Sequence, residues 1–323
     1  MSGQAPVALR AEGLTVVTRR SDGREVALVR EVNLVLHQGE ALGLVGESGS
    51  GKSLTALSLM RVLPESMRQQ GTIELGGLSL SALPEERMRQ IRGAQMSMVF
   101  QDPLTGLNPV RTVGSVMREA LRRHRRMTRR QAHEASVAAL RSVGIPSPQE
   151  RLRAYPHQLS GGLMQRVMIA MALLHQPAVI ICDEPTTALD ATIQAQILDL
   201  LQLRVASASL ILITHDLGVA AQACDRILVM YSGVIVENGR TSEVLDNPRH
   251  PYTAGLLAAA PTLDPSRPGM IPIPGSQPAP LSRPPGCAFA PRCARAQARC
   301  HREEPDVTTE PSGRSYACWN PHD

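Results

Sequence analysis

The sequence predicts an α/β fold: a parallel β-sheet core with two β-rich segments before it and a separate helical stretch, followed by a small Cys/Pro-rich carboxyl-terminal module. Short apolar runs alternate with helical patterns as far as residue 240, which is typical of a parallel sheet covered by helices. Composition then changes, since residues 261–323 contain 13 of the 25 prolines and four of the six cysteines. Prolines at that density exclude long helices and central strands, so this segment is a linker or a module without a large core.

Apolar runs bounded by glycines and polar residues predict the strands. Two β-rich segments come first, and shorter strands follow; the predicted ranges are 7–18, 25–36, 40–45, 71–75, 95–100, 178–182, 209–214 and a strand pair within 226–238. Helical spacing of apolar residues predicts helices over 52–63, 112–143, 163–175 and 191–205. The long stretch 112–143 separates two β-rich parts and is predicted to form most of a separate helical subdomain.

Composition limits the class of protein. Hydrophobic residues make up 43% and charged residues 20% of the chain, as in ordinary globular proteins. No apolar run reaches the roughly 20 residues of a membrane span, and the first residues do not have the pattern of a secretory signal, which predicts a cytoplasmic chain. Cysteines are then expected as thiols or ligands, and the net charge of +5 does not by itself indicate nucleic acid binding.

The segment GESGSGKS follows an apolar strand and opens a helix, which is the required context of a phosphate-binding loop. Its glycines allow backbone N–H groups to surround phosphates at a helix N-terminus. Lys52 is the only lysine among 34 basic residues, which indicates a place where the broader guanidinium of arginine does not substitute. We expect Lys52 to contact the terminal phosphates and the Ser53 hydroxyl to bind Mg²⁺.

Two further motifs suit the same chemistry. The apolar strand VIICDEP ends in Asp183, which suits a Mg²⁺ contact through water, and Glu184, which suits polarisation of an attacking water. The segment LSGG at 159–162 precedes a helix, so its glycine N–H groups and the Ser160 hydroxyl can bind an anion. Taken alone, this segment is also consistent with an ordinary helix cap, which is the less favoured alternative.

With these motifs in order, residues 7–260 resemble an ATP-binding cassette (ABC) ATPase. The resemblance implies an α/β P-loop NTPase with a RecA-like parallel-sheet core, an antiparallel β part and a helical subdomain. Further matching motifs are Gln101 in VFQDP, TALD at 187–190 and His215 after LILIT. The resemblance implies a domain at 1–260 with a helical subdomain at about 102–175. It implies Glu184, His215 and Gln101 as catalytic residues and Ser53, Gln101 and Asp183 around Mg²⁺. The implied ATP-binding residues are Gly46, Glu47, Ser48, Gly49, Ser50, Gly51, Lys52, Ser53, Leu54, Ser160, Gly161, Gly162 and Asp190. Two such domains would pair head to tail, so that Ser160 and Gly162 of one complete the γ-phosphate site of the other.

Within that family, the chain is most similar to the D-type ATPases of oligopeptide, dipeptide and nickel importers. The similarity is carried by MVFQDPLTGLNP, YPHQLSGG, ITHDLGVAAQACD and HPYT at 250–253. It implies ATP-driven peptide import with two membrane-spanning permease subunits, a second related ATPase in a heterodimer, and an extracytoplasmic solute-binding protein. The chain would then act peripherally at the cytoplasmic face of the inner membrane, without nucleic acid. Residues 101–153 would grip the permease subunits.

The tail cysteines Cys287, Cys293, Cys300 and Cys318 are spaced C-x5-C-x6-C-x17-C. Neither short gap is the two- to four-residue gap usual in structural zinc sites. Four thiolates suit a [4Fe–4S] cluster, which the resemblance also implies, while zinc and free or oxidised thiols remain alternatives. Cys182 and Cys224 lie within the cassette and are expected as buried apolar side chains.

Three questions stay open. The basic run RRHRRMTRR at 122–130 is interpreted as a solvated helical face, with contact to anionic lipid as a minor alternative. The alternative function for the whole chain is that of a soluble ABC ATPase acting on nucleic acid or in translation. Family members usually stack adenine on an aromatic residue before the phosphate loop, but this chain has none before Phe100. Thr18 lies near the expected position, and Arg19 or Arg20 is the candidate replacement, which predicts weak selectivity for adenine.

Overall fold

The computed structural model describes residues 5–20, 22–102, 106–187, 189–205, 208–260 and 271–322. The strands are β1 (Val7–Arg19), β2 (Glu25–His37), β3 (Ala41–Val45), β4 (Met67–Leu75), β5 (Leu78–Ser79), β6 (Met96–Val99), β7 (Val179–Asp183), β8 (Ser209–Thr214), β9 (Arg226–Tyr231), β10 (Val234–Arg240), β11 (Thr308–Thr309) and β12 (Ser315–Tyr316). The α-helices are α1 (Lys52–Leu59), α2 (Glu85–Ile91), α3 (Val113–His124), α4 (Arg129–Ser142), α5 (Pro148–Arg151), α6 (Gly161–Leu173), α7 (Ala191–Val205), α8 (Leu217–Ala223), α9 (Thr241–Asp246) and α10 (Pro251–Ala259).

The chain divides into two compact units. One unit comprises Met1–Ala8, His37–Gly39 and Ala82–Ile211; the other comprises Leu9–Leu36, Glu40–Ser81 and Leu212–Asp323. The predicted boundary near residue 260 adjoins residues 261–270, which lie outside the described residues, so that boundary stays a prediction.

The unit that contains the first half of β8 has the strand order β8-β7-β6. Strands β6 and β7 run parallel, with Met96 opposite Val179 and Val99 opposite Cys182. All five residues of β7 are buried, which agrees with a central parallel strand enclosed on both faces. Helices α3, α4 and α6 pack against one another in this unit. The predicted helical stretch 112–143 is therefore two helices, because Thr128 starts α4 with a capping box to Gln131.

The other unit contains an antiparallel sheet ordered β2-β1-β4-β5 and a second set of strands ordered β11-β12-β10-β9-β3. Strand β3 runs parallel to β9, and its five residues are all buried. The short strand β12 pairs with β10 through Tyr316 and Glu237, so part of the proline-rich segment extends this sheet. None of the helices in the described ranges is long and apolar enough to cross a membrane.

Candidate functional site

The predicted phosphate loop lies between β3 and α1. A Cβ atom on Gly46 would stand 2.1 Å from the carbonyl oxygen of Met230, so no side chain fits there. Gly51 has φ of 106° and caps α1, a conformation that favours glycine. Both positions therefore need glycine for steric reasons, which agrees with the sequence prediction for this loop.

Lys52 is buried inside the phosphate loop, with 4% of its surface exposed. Its Nζ donates hydrogen bonds to the carbonyl oxygens of Gly46 at 2.7 Å and Glu47 at 2.9 Å. The neighbouring Ser50 is also buried, whereas Ser48 and Gly49 are exposed at the tip. The Lys52 ammonium is thus held by backbone carbonyl oxygens of the loop, and the exposed tip of the loop is accessible to an anion.

The second cluster of predicted residues lies at the carboxyl end of β7. Asp183 is buried, and Glu184 is half-buried in the left-handed region with φ of 46°. Oε2 of Glu184 accepts hydrogen bonds from Nε2 of Gln101 at 3.0 Å and from Oγ1 of Thr187 at 2.9 Å. A strained backbone and two donors fix the direction of this carboxylate. Thr187 had no sequence prediction, although it stands within the quoted motif TALD.

Residues of the LSGG segment lie together with Asp190, at another place in the unit that contains β7. Ser160, Gly161, Gly162 and Asp190 line one cavity of about 500 Å³. Oγ of Ser160 accepts from the N–H of Leu163 at 3.4 Å and Oδ1 of Asp190 accepts from the N–H of Ile193 at 2.9 Å. The alternative that Ser160 caps a helix is therefore confirmed, and its role toward an anion stays a prediction.

His215 is exposed at the end of β8 and lies in the unit of the phosphate loop. The next residue, Asp216, caps α8 by accepting from the N–H of Gly218 at 2.7 Å. The cap fixes the chain direction directly after His215. The contact of His215 with a phosphate stays a prediction.

The four tail cysteines line one small cavity, together with His250 and Trp319. All four are free thiols, as are Cys182 and Cys224. The latter two are buried, as expected, and burial raises the pKa of Cys224 to about 12.

The phosphate loop also has contacts that sequence reasoning missed. The carboxylate of Glu47 pairs with Arg292, its N–H donates to the Tyr252 hydroxyl at 2.8 Å, and Gln277 donates to the Gly49 carbonyl oxygen at 3.0 Å. Only Tyr252 lies in a quoted motif, HPYT; no local pattern marks the other two.

Comparison with known proteins agrees with this site. A family described as ABC transporter matches residues 29–187, and one described as oligopeptide/dipeptide transporter, C-terminal region, matches residues 236–300. The chain belongs to the ABC transporter ATPases and carries the C-terminal region of the oligopeptide/dipeptide transporters.

Two relatives cover nearly all of the chain. It is 46% identical to the oligopeptide transport ATP-binding protein OppD of Salmonella typhimurium, over 98% of this chain and 95% of that protein. It is 48% identical to the dipeptide transport ATP-binding protein DppD of Bacillus subtilis, over 92% and 90%.

Among solved structures, the chain is similar to the ATP-binding cassette MJ0796 in a dimeric post-hydrolysis state bound to ADP and Pi. The TM-score is 0.65 at 26% identity, covering 72% of this chain and 98% of that one. The chain therefore has the fold of an ABC cassette, as the sequence predicted.

Proposed function

We propose that this chain is the ATP-hydrolysing subunit of an ABC importer that carries dipeptides or oligopeptides across the cytoplasmic membrane. The observation that carries the hydrolytic part is the carboxylate of Glu184, which Gln101 and Thr187 hold in one direction at the end of β7. The names of relatives covering more than nine-tenths of the chain support peptides as cargo.

Nucleotide would bind along the phosphate loop. In this proposal the backbone N–H groups of residues 46–51 and the Lys52 ammonium hold the phosphates, and Leu54 lies in the first turn of α1 beneath them. Oxygen donors suit Mg²⁺, and the chain supplies the Ser53 hydroxyl, the Gln101 amide oxygen and the buried Asp183 carboxylate. The metal would neutralise charge on the phosphates.

Hydrolysis then requires a general base that accepts a proton from the attacking water. Glu184 orients a water molecule and accepts its proton as the water oxygen bonds to the γ-phosphorus and the bond to the β–γ bridging oxygen breaks, giving ADP and phosphate. His215 would donate to the γ-phosphate. The cavity lined by Ser160, Gly162 and Asp190 would bind the γ-phosphate side of ATP held by a second ATPase subunit, so each site would be completed by two chains.

The partners follow from the same proposal. The chain would act at the cytoplasmic face of the inner membrane with two permease subunits, a related second ATPase and an extracytoplasmic solute-binding protein. The alternative of a soluble ATPase acting on nucleic acid gains no support: the arginines of the basic run 122–130 are exposed at the ends of α3 and α4, and the relatives named are transport proteins.

The tail cysteines fit a [4Fe–4S] cluster in donor chemistry. Their four sulfurs line one cavity, and backbone N–H groups donate to Cys300 and Cys318 at 3.4 Å, with similar donors at Cys287 and Cys293. Such donors stabilise thiolates bound to a cluster. In the described ranges, no three His, Cys, Asp or Glu side chains are grouped closely enough to hold a metal ion, so this geometry favours neither the cluster nor zinc, and the cluster proposal rests on donor chemistry alone.

Metal analysis tests the cluster. Anaerobically purified protein is expected to contain iron and labile sulfide, which Cys293→Ser removes and Cys224→Ala retains. Protein that lacks iron and sulfide under these conditions would contradict the cluster while leaving the ATPase proposal intact.

An anaerobic pull-down from detergent-solubilised native membranes tests the transport function. Mass spectrometry is expected to identify two multi-span proteins and a second ATPase, and a co-purifying solute-binding protein would identify the cargo class. Recovery with ribosomal proteins or nucleic acid, and without membrane proteins, would overturn the importer proposal.

A further inference from the structure

The carboxyl-terminal segment contacts the phosphate loop through Arg292. The Nη1 and Nη2 atoms of Arg292 donate to the two carboxylate oxygens of Glu47 at 2.6 and 2.9 Å, a two-point ion pair. The Arg292 side chain is 5% exposed and that of Glu47 29%. Ion pairs of this geometry, shielded from solvent, are stronger than exposed ones.

Arg292 is itself held in place. Its Nε donates to the carbonyl oxygen of Pro274 at 2.8 Å, and Nη1 also lies 3.3 Å from the Tyr231 hydroxyl. The hydrogen bonds to Glu47 raise the pKa of Arg292 above its ordinary value, so the guanidinium stays charged. The contacts with Pro274 and Tyr231 orient Arg292 without the help of Glu47.

Two more contacts from the same part of the chain reach the loop backbone. The Tyr252 hydroxyl accepts from the N–H of Glu47 at 2.8 Å, and Nε2 of Gln277 donates to the carbonyl oxygen of Gly49 at 3.0 Å. Tyr252 is fully buried against Tyr231 and Phe289, with ring centroids 4.5 and 5.3 Å away. The loop is thus held at its side chain and at its backbone.

The charge of Glu47 gives these contacts a consequence for binding. A carboxylate within a loop that surrounds a polyphosphate repels it, since like charges within several ångströms interact unfavourably. Arg292 neutralises that carboxylate and fixes its direction. We propose that Arg292, by neutralising the carboxylate of Glu47, is the residue through which the carboxyl-terminal segment (residues 271–322) sets the affinity of the site for nucleoside triphosphates. The inference rests on the proposed nucleotide-binding function.

Equilibrium titration with a fluorescent ATP analogue, which needs no turnover, tests this inference. Arg292→Gln is expected to weaken binding roughly 5- to 50-fold, because Glu47 then keeps its negative charge without the guanidinium. Adding Glu47→Gln to that variant removes the charge and is expected to restore affinity to within about threefold of wild type.

Arg249→Gln is the matched control. Arg249 also anchors the carboxyl-terminal segment, through Glu310 at 3.0 Å and the carbonyl oxygen of His322 at 2.9 Å, but these contacts do not involve the phosphate loop. Its affinity for the analogue is expected to stay within about twofold of wild type, whereas loosening of the segment as a whole would weaken both single arginine variants.

Two results would overturn the inference: wild-type affinity in Arg292→Gln, or a loss that Glu47→Gln fails to restore, which would indicate a purely structural role. If Arg292→Gln does not fold, Arg292→Met, which also lacks the charge, replaces it in the same comparison. A wild-type chain that binds no ATP analogue would instead contradict the proposed function.

Discussion

Gln101 donates a hydrogen bond of 3.0 Å from Nε2 to Oε2 of Glu184, which links the end of β6 to the end of β7. The two residues are 83 positions apart in sequence, and parallel pairing of these strands brings them to one edge of the sheet. The hydrogen bond orients the carboxylate that the proposed mechanism uses as the general base.

Glu184→Gln is expected to reduce ATP hydrolysis about 10²- to 10⁴-fold, because the amide cannot accept the proton of the attacking water. The amide has the same shape, so ATP binding should be retained. Measurement of turnover together with binding separates the two effects. Unchanged turnover would refute the role assigned to Glu184.

Thr187→Val is expected to reduce turnover roughly 3- to 30-fold with little change in KM. The valine is nearly isosteric but lacks the hydroxyl that donates to Glu184 at 2.9 Å, so the carboxylate loses an orienting donor. Steady-state kinetics over a range of ATP concentrations check this. A rise in KM at constant kcat would show instead that Thr187 acts in binding.

Tyr252→Phe removes the hydroxyl that accepts from the N–H of Glu47 at 2.8 Å. A donor left without its partner in a buried site costs about 1–3 kcal/mol, so the unfolding free energy should fall by that order. Denaturant titration measures the loss, with Tyr316→Phe at the half-buried β12 as the control. Equal losses in the two variants would show that the contact with the loop contributes nothing special.

The strands that form the core were predictable because they are continuous apolar runs. Strands β3, β7 and β8 are fully buried, so no polar alternation interrupts them. The short helices α8 and α9 were missed. Each has only six or seven residues, too few to show a helical period, and α8 begins through the side-chain cap of Asp216.

In the candidate site, too, only the features that a local sequence pattern shows could be predicted. Each sequence motif is a local pattern, so the phosphate loop and the acidic end of β7 could be recognised from residue types and spacing alone. The ion pair between Arg292 and Glu47 joins residues 245 positions apart, and nothing near either residue indicates the other. Such a contact depends on how the carboxyl-terminal segment folds back, which composition and periodicity do not specify.

Weak selectivity for adenine is expected from the absence of an aromatic residue before the phosphate loop. Thr18 is half-buried and donates to the carbonyl oxygen of Ser66 at 3.3 Å, while Arg19 and Arg20 are exposed beside it. Competition binding should give ATP and GTP affinities within about tenfold of each other. Thr18→Tyr should tighten ATP binding, by at most the roughly 5- to 150-fold that base stacking supplies. GTP binding far weaker than ATP binding in the wild-type chain would contradict this expectation.

The stability of the unit that contains α3 and α6 is expected to fall as the pH drops below about 6.5. His124 and His175 lie with ring centroids 4.9 Å apart. Burial lowers the pKa of both, with Arg123 adding to the effect at His124, and His124 and Arg125 adding to it at His175. Below the ordinary histidine pKa the unfolded chain therefore binds more protons than the folded chain. The unfolding free energy keeps its full value above that pKa and decreases as the pH falls through it.

Denaturant unfolding at a series of pH values from 5 to 8 measures this effect. His175→Gln is expected to flatten the pH dependence, because it removes one half-buried titrating ring, on which His124 exerts repulsion. His133→Gln, at an exposed position on α4, is expected to keep the wild-type dependence. Equal slopes for the two variants would show that the pair of rings does not control stability in this range.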